Sequence, residues 1–204
     1  MSDTSNRPPS ILLGQVGSRI CHDLVSPLGA IANGLELLEM SGVAPSQELE
    51  LIRDSVANAN ARIRFFRIAF GAAGDGQSVD PRELREILDL IEKGGRLRYR
   101  WDAVGEVTRT EARIVFLALL CLETALAFGG EISLARREDG TWRLLAEAPK
   151  LRYEAELWST MAGPLGADVT APGLVQFSLL PLLLSEAGRR LNIDQAETRI
   201  LMEF

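Results

Sequence analysis

The single histidine of this 204-residue chain, His22, lies in the run Ile20-Cys21-His22-Asp23-Leu24-Val25-Ser26-Pro27-Leu28. A neutral imidazole nitrogen is a nucleophile for phosphorus, and an unperturbed histidine with a pKa near 6.5 supplies one at neutral pH. Asp23, at the next position, can hydrogen-bond the other ring nitrogen, fix the tautomer and take up its proton as the first nitrogen gains phosphorus. It can also be a plain solvated charge. Ser26 lies one helical turn from His22 on the same face, where it can hold an incoming group or a water. A bond from Ser26 to the local backbone beside Pro27 is the other reading. Taken together, the box is a phosphoryl-accepting arrangement.

Other chemistries lack their parts. Cys21 adjoins His22, but no second histidine exists to pair with it or to complete a Ser-His-Asp or Cys-His site. Cys21 and Cys121 are far apart and have no paired spacing, so neither a disulfide framework nor a zinc site is indicated, which fits a reducing cytoplasm. A net charge of -6 argues against a chain-wide attraction for nucleic acid. Residues 1–10 are polar with Pro8-Pro9 and read as a disordered N-terminus without a signal-peptide pattern. No apolar run approaches the roughly 20 residues a membrane span needs. Hydrophobic residues make up 47% of the chain, enough for one or two packed cores.

The elements that must carry the box follow from periodicity. Ile20, Leu24, Leu28, Ile31, Leu35 and Leu38 recur at three and four residues, which predicts an amphipathic helix over 11–40, kinked at Pro27. Ser41 to Pro45 reads as a turn, and Ser46 opens a second helix to about Phe70, so residues 11–73 form a helical hairpin. Such a hairpin cannot bury a wide apolar arc alone. Pairing of two copies into a four-helix bundle is therefore expected.

The glycine-rich run Gly71 to Ser78 reads as a linker, since no strand precedes it and no Lys-Ser/Thr follows, as a phosphate loop would require. Over 78–204, helices are expected near 80–93, 111–128, 153–161 and 174–187. Strands are expected near 97–101, 131–137, 141–148, 189–194 and 199–204. Helices covering a largely antiparallel sheet make a two-layer α/β sandwich, and the whole chain an α+β protein.

The string His-Asp-x-x-Ser-Pro-Leu, continued by Ala30-Ile31-x-Asn33, resembles the phosphoacceptor box of histidine kinases. The order of hairpin then sandwich resembles their dimerisation domain followed by a GHKL-type ATP-binding domain. In that family an asparagine binds magnesium within a Leu-x-x-Asn-Ala pattern, and Thr124 stands there in Leu122-Glu123-Thr124-Ala125-Leu126. The Asp-x-Gly-x-Gly loop is replaced by Glu147-Ala148-Pro149-Lys150-Leu151-Arg152, and the last glycine box is reduced to Pro172-Gly173-Leu174. Threonine cannot replace an amide carbonyl for magnesium at the same reach, and without the glycines the backbone cannot approach a nucleotide. ATP and other cofactors are therefore not expected on this chain.

An intact acceptor helix with a degenerate nucleotide domain resembles the ChpT-type histidine phosphotransferases of bacterial phosphorelays. The resemblance implies a cytoplasmic homodimer that passes phosphoryl groups from the receiver of a CckA-like hybrid kinase to CtrA-like and CpdR-like response regulators. His22, Asp23 and Ser26 would do the chemistry, and Mg2+ would sit in the partner receiver. An active, divergent histidine kinase and a pseudokinase-like scaffold that carries no phosphate are the rival readings.

Folding the hairpin about Val43 sets His22 level with a residue near Arg64. Arg62, Arg64 and Arg67, with Phe65, thus form a candidate docking surface, because a receiver presents an acidic pocket. A solvated charge run is the alternative. Phe66 is expected in the core.

Overall fold

The computed structural model describes residues 9–42, 46–72, 76–161 and 171–204. Most of the expected disordered N-terminus, the turn about Val43 and the middle of the glycine-rich linker lie outside them. The chain divides into two compact units, residues 1–72 with 82–95 and residues 73–81 with 96–204.

In the first unit, helix α1 (Pro9–Met40) runs uninterrupted through Pro27. That proline has no N–H to give, so it leaves the Asp23 carbonyl without its helical donor. Helix α2 (Gln47–Ala69) starts where Ser46 caps the Leu49 N–H, with Glu48 and Glu50 in its first turn complementing the helix dipole. The two helices approach closely at one end. A Cβ on Gly17 would lie 2.6 Å from the Phe70 carbonyl oxygen, and one on Gly14 would lie 3.0 Å from the Ala72 Cα. Small residues at 14 and 17 therefore let the backbones touch, and Ser18 Oγ accepts the Ala72 N–H at 3.0 Å.

Helix α3 (Pro81–Lys93), which the sequence reading assigns to the sandwich, groups with the hairpin. Arg67 pairs with Glu83 and Arg64 with Glu86. A Cβ on Gly94 would strike the Asn58 side chain. Residue numbers rise on α3 as they fall on α2, so the two run antiparallel. Leu84, Ile87, Leu88 and Ile91 form one buried stripe on α3, while Ala61, Ile63, Phe65, Ile68 and Ala69 are buried on α2. The opposite end of the hairpin has no such cover. Ile31, Leu38, Leu51 and Ile52 are all more than 40% exposed.

The second unit is built on a five-stranded sheet of order β2-β4-β5-β7-β6, comprising β2 (Leu97–Trp101), β4 (Gly130–Arg136), β5 (Trp142–Glu147), β6 (Asn192–Gln195) and β7 (Arg199–Glu203). β2 pairs parallel with β4 and every other pair is antiparallel. Strand alternation sorts the faces. Tyr99, Trp101, Ile132, Leu134, Trp142, Leu144, Ala146, Ile200 and Met202 are buried, whereas Arg98, Arg100, Arg143, Glu147 and Arg199 are exposed.

Helix α4 (Arg109–Ala125) is buried nearly all round and packs on β5 and on α6 (Gln176–Glu186); α5 (Ala155–Ser159) is short. Helices on one face of the sheet and charges on the other make the expected α+β sandwich. A two-stranded ribbon of β1 (Ser78–Val79) and β3 (Val107–Thr108) escaped the sequence reading, because two-residue strands carry no periodicity.

α4 opens with a capping box, in which Thr108 Oγ1 accepts the Glu111 N–H and Glu111 accepts the Thr108 N–H at 3.0 Å. Glu111 is only 8% exposed and also meets Arg136 at 2.8 Å and Arg189 at 3.1 Å. Burial pushes its acid pKa up, but the Thr108 donors and the Arg136 charge outweigh that and hold it below the usual glutamate range.

Candidate phosphoacceptor site

Cys21 sets the orientation of the candidate acceptor, His22. Its side chain is 5% exposed, turned into the hairpin where Arg67 lies close enough to act on it electrostatically. Burial pushes the thiol pKa up, with Arg67 partly opposing, so Cys21 is a packing residue and a poor nucleophile. One residue further is a 100° turn of the helix, which brings His22 out to 81% side-chain exposure.

The imidazole meets Asp23: Nδ1 and Oδ1 are 3.2 Å apart. The other carboxylate oxygen, Oδ2, accepts a hydrogen bond from Arg19 Nε at 2.9 Å, one turn earlier on the same helix. The hydrogen bond with His22 outweighs the desolvation that opposes it and, with the charge and hydrogen bond of Arg19 adding to it, holds the Asp23 carboxyl below the ordinary aspartate range. Asp23 is therefore ionised at neutral pH. An ionised carboxylate can only accept, so in neutral His22 the proton of this bond is on Nδ1 and the lone pair is on Nε2. Ser26 is exposed one turn beyond His22, as its spacing requires.

Sequence reasoning missed Arg19. Its signal was the i, i+4 spacing to Asp23, which brings opposite charges onto neighbouring positions of a helix.

The α2 cluster needs correction. Phe65 is fully buried, at 0% exposure, and cannot serve as a docking contact, while Phe66, expected in the core, is 38% exposed. Arg64 forks onto Glu86 and Arg67 meets Glu83 at 3.6 Å, so both are engaged with α3 rather than standing as free cations. Arg62 lies over the Phe65 ring at 5.7 Å. The approaches of Gly14 to Ala72 and Gly17 to Phe70 and the proximity of Cys21 to Arg67 set His22 level with residues 64–66, near Arg64 as expected.

Thr124 turns its hydroxyl back to the Leu120 carbonyl at 2.9 Å. Lys150 lies over the Phe128 ring at 4.9 Å. Among the described residues no cluster of His, Cys, Asp and Glu could hold a metal ion, and no helix is long and apolar enough to cross a membrane.

A family model for the histidine phosphotransferase C-terminal domain matches residues 81–199. The protein phosphotransferase ChpT of Brucella abortus (strain 2308) is 33% identical over 183 residues, covering 86% of this chain and 86% of the relative. A solved structure of a bacterial phosphotransferase superposes with a TM-score of 0.67 at 26% identity, covering 91% of both chains. An exposed histidine on a helical hairpin, a sandwich matched by the family model and a relative alike along most of its length establish that this chain belongs to the ChpT-type histidine phosphotransferases.

Proposed function

We propose that the chain carries phosphoryl groups between receiver-domain aspartates on His22 Nε2. The observation that supports this most is the setting of the ring, 81% exposed and hydrogen-bonded through Nδ1 to an ionised carboxylate. In the forward step the Nε2 lone pair attacks the phosphorus of a receiver aspartyl phosphate. The bond from phosphorus to the aspartate oxygen breaks, the receiver regains its carboxylate, and the positive charge that develops on the ring is met by Asp23. The reverse step delivers the phosphoryl group to a second receiver. Catalysis is mainly alignment, together with charge neutralisation by the Mg2+ that a receiver brings. Ser26 borders the approach to the ring.

The partners we propose are the receiver of a CckA-like hybrid kinase and CtrA-like or CpdR-like response regulators, in the cytoplasm. Phe66, exposed near the level of His22, is a better docking candidate than the buried Phe65. A homodimer through the hairpin is supported by the exposed apolar side chains of its uncovered end and by a groove of about 230 Å³ between Ala32, Leu35, Val56 and Ala57. The test is phosphoryl exchange with a panel of purified phosphorylated receivers. Transfer to the wild-type chain as an acid-labile phosphoramidate, absent in His22→Ala, is the expected result. Label persisting in His22→Ala would sink the reading.

A further inference from the structure

We propose that Arg19 is a positioning residue for phosphotransfer: by engaging one oxygen of Asp23 it commits the other to His22 Nδ1, and so keeps Nε2 unprotonated for attack. This rests on the reading of His22 as the acceptor. The geometry carries it. Asp23 Oδ2 is held by Arg19 at 2.9 Å and Oδ1 lies 3.2 Å from the imidazole, so each carboxylate oxygen has its own partner along one face of α1.

All three side chains are at least half exposed, at 75% for Arg19, 81% for His22 and 51% for Asp23. Nothing buried locks the carboxylate. An exposed aspartate on a helix loses rotamer freedom only if it gains a bond in return, and the Arg19 guanidinium supplies that bond. Without it the carboxylate is free to turn away, and the ring proton is free to move to Nε2, where it blocks attack.

The guanidinium has a second effect. Its charge opposes protonation of Asp23, so Asp23 acts as an orienting acceptor that shares the Nδ1 proton rather than as a base that removes it. The step then balances without proton release: the P–N bond forms at Nε2, the P–O bond to the receiver aspartate breaks, and the Nδ1 proton stays between ring and carboxylate.

The test uses the full chain in two measurements. Nitrogen-15 spectra of unphosphorylated protein read the tautomer of the only histidine directly. Arg19→Ala should move His22 from the Nδ1–H form towards the Nε2–H form, and Arg19→Lys, which can still reach Asp23 at i+4, should restore most of the Nδ1–H signal. In single-turnover transfer from a phosphorylated receiver, Arg19→Ala should lower the maximal rate about twofold, the worth of an exposed i, i+4 ion pair, with the half-saturating receiver concentration unchanged. An unchanged tautomer in Arg19→Ala overturns the proposal. A change confined to the half-saturating concentration also overturns it and makes Arg19 a docking residue. If wild-type chain accepts no phosphoryl group, the acceptor reading fails instead, and the nitrogen spectra still report on Arg19.

Discussion

Arg64 and Glu86 form a bidentate pair, with Nη1 3.1 Å from Oε1 and Nη2 3.3 Å from Oε2. The fork-on-fork geometry fixes the register of α2 against α3, and Arg64 in turn holds the Glu86 carboxyl below its usual range through that hydrogen bond and its charge. An arginine beside the acceptor helix is thus part of how the three-helix unit is assembled.

Arg64→Glu should lower the urea midpoint of the chain slightly, because two carboxylates would then face each other at the helix seam. The charge-swapped double variant Arg64→Glu/Glu86→Arg should regain most of the loss. Transfer rates in the double variant should match wild type at low and high salt. A low-salt defect persisting in the swap would return Arg64 to the docking surface.

Glu111→Gln should destabilise the sandwich unit by about 2 kcal/mol, since it leaves the Arg136 and Arg189 charges without their carboxylate and weakens the α4 cap. The pH dependence has a definite sign. Glu111 has its acid pKa lowered by folding, so its stabilisation is fully present above the unfolded value near 4.3 and is lost as pH falls through the lower folded value. Urea titrations followed by tryptophan fluorescence should find the gap between wild type and variant shrinking as pH falls past the unfolded value and closing only below the folded one.

Mg-ATP should not bind measurably, and the purified chain should not label itself. The Thr124 hydroxyl is spent on the Leu120 carbonyl, and a single Thr124→Asn exchange should not restore binding, because the glycine loops are missing too. Isothermal titration of both forms checks this. Saturable micromolar binding by the wild-type chain would promote the kinase reading.

Self-association should depend on the uncovered end of the hairpin. Ile31 is 49% exposed on α1, and Ile31→Glu would bury a charge in a bundle seam. If the chain pairs through the hairpin as proposed, sedimentation should find the Ile31→Glu dimer at least tenfold weaker than wild type, with helix content unchanged by circular dichroism.

The local pattern of the chain determined much of this protein by itself. The 3.6-residue spacing of Ile20, Leu24, Leu28 and Ile31, the cap at Ser46 and the alternation of Leu97-Arg98-Tyr99-Arg100-Trp101 are short-range signals, and the corresponding helices and strands lie within a few residues of expectation. His22 and Asp23 were legible because adjacent residues on a helix need no tertiary contact to meet. Burial and partnership between distant elements were decided only by the tertiary structure. Phe65 is buried, and Arg64 and Arg67 are committed to Glu86 and Glu83 on α3. A helix from beyond the linker thus engages charges that an isolated hairpin would leave to solvent. Periodicity records which side of a helix is apolar, but it carries no information about which partner will cover that side.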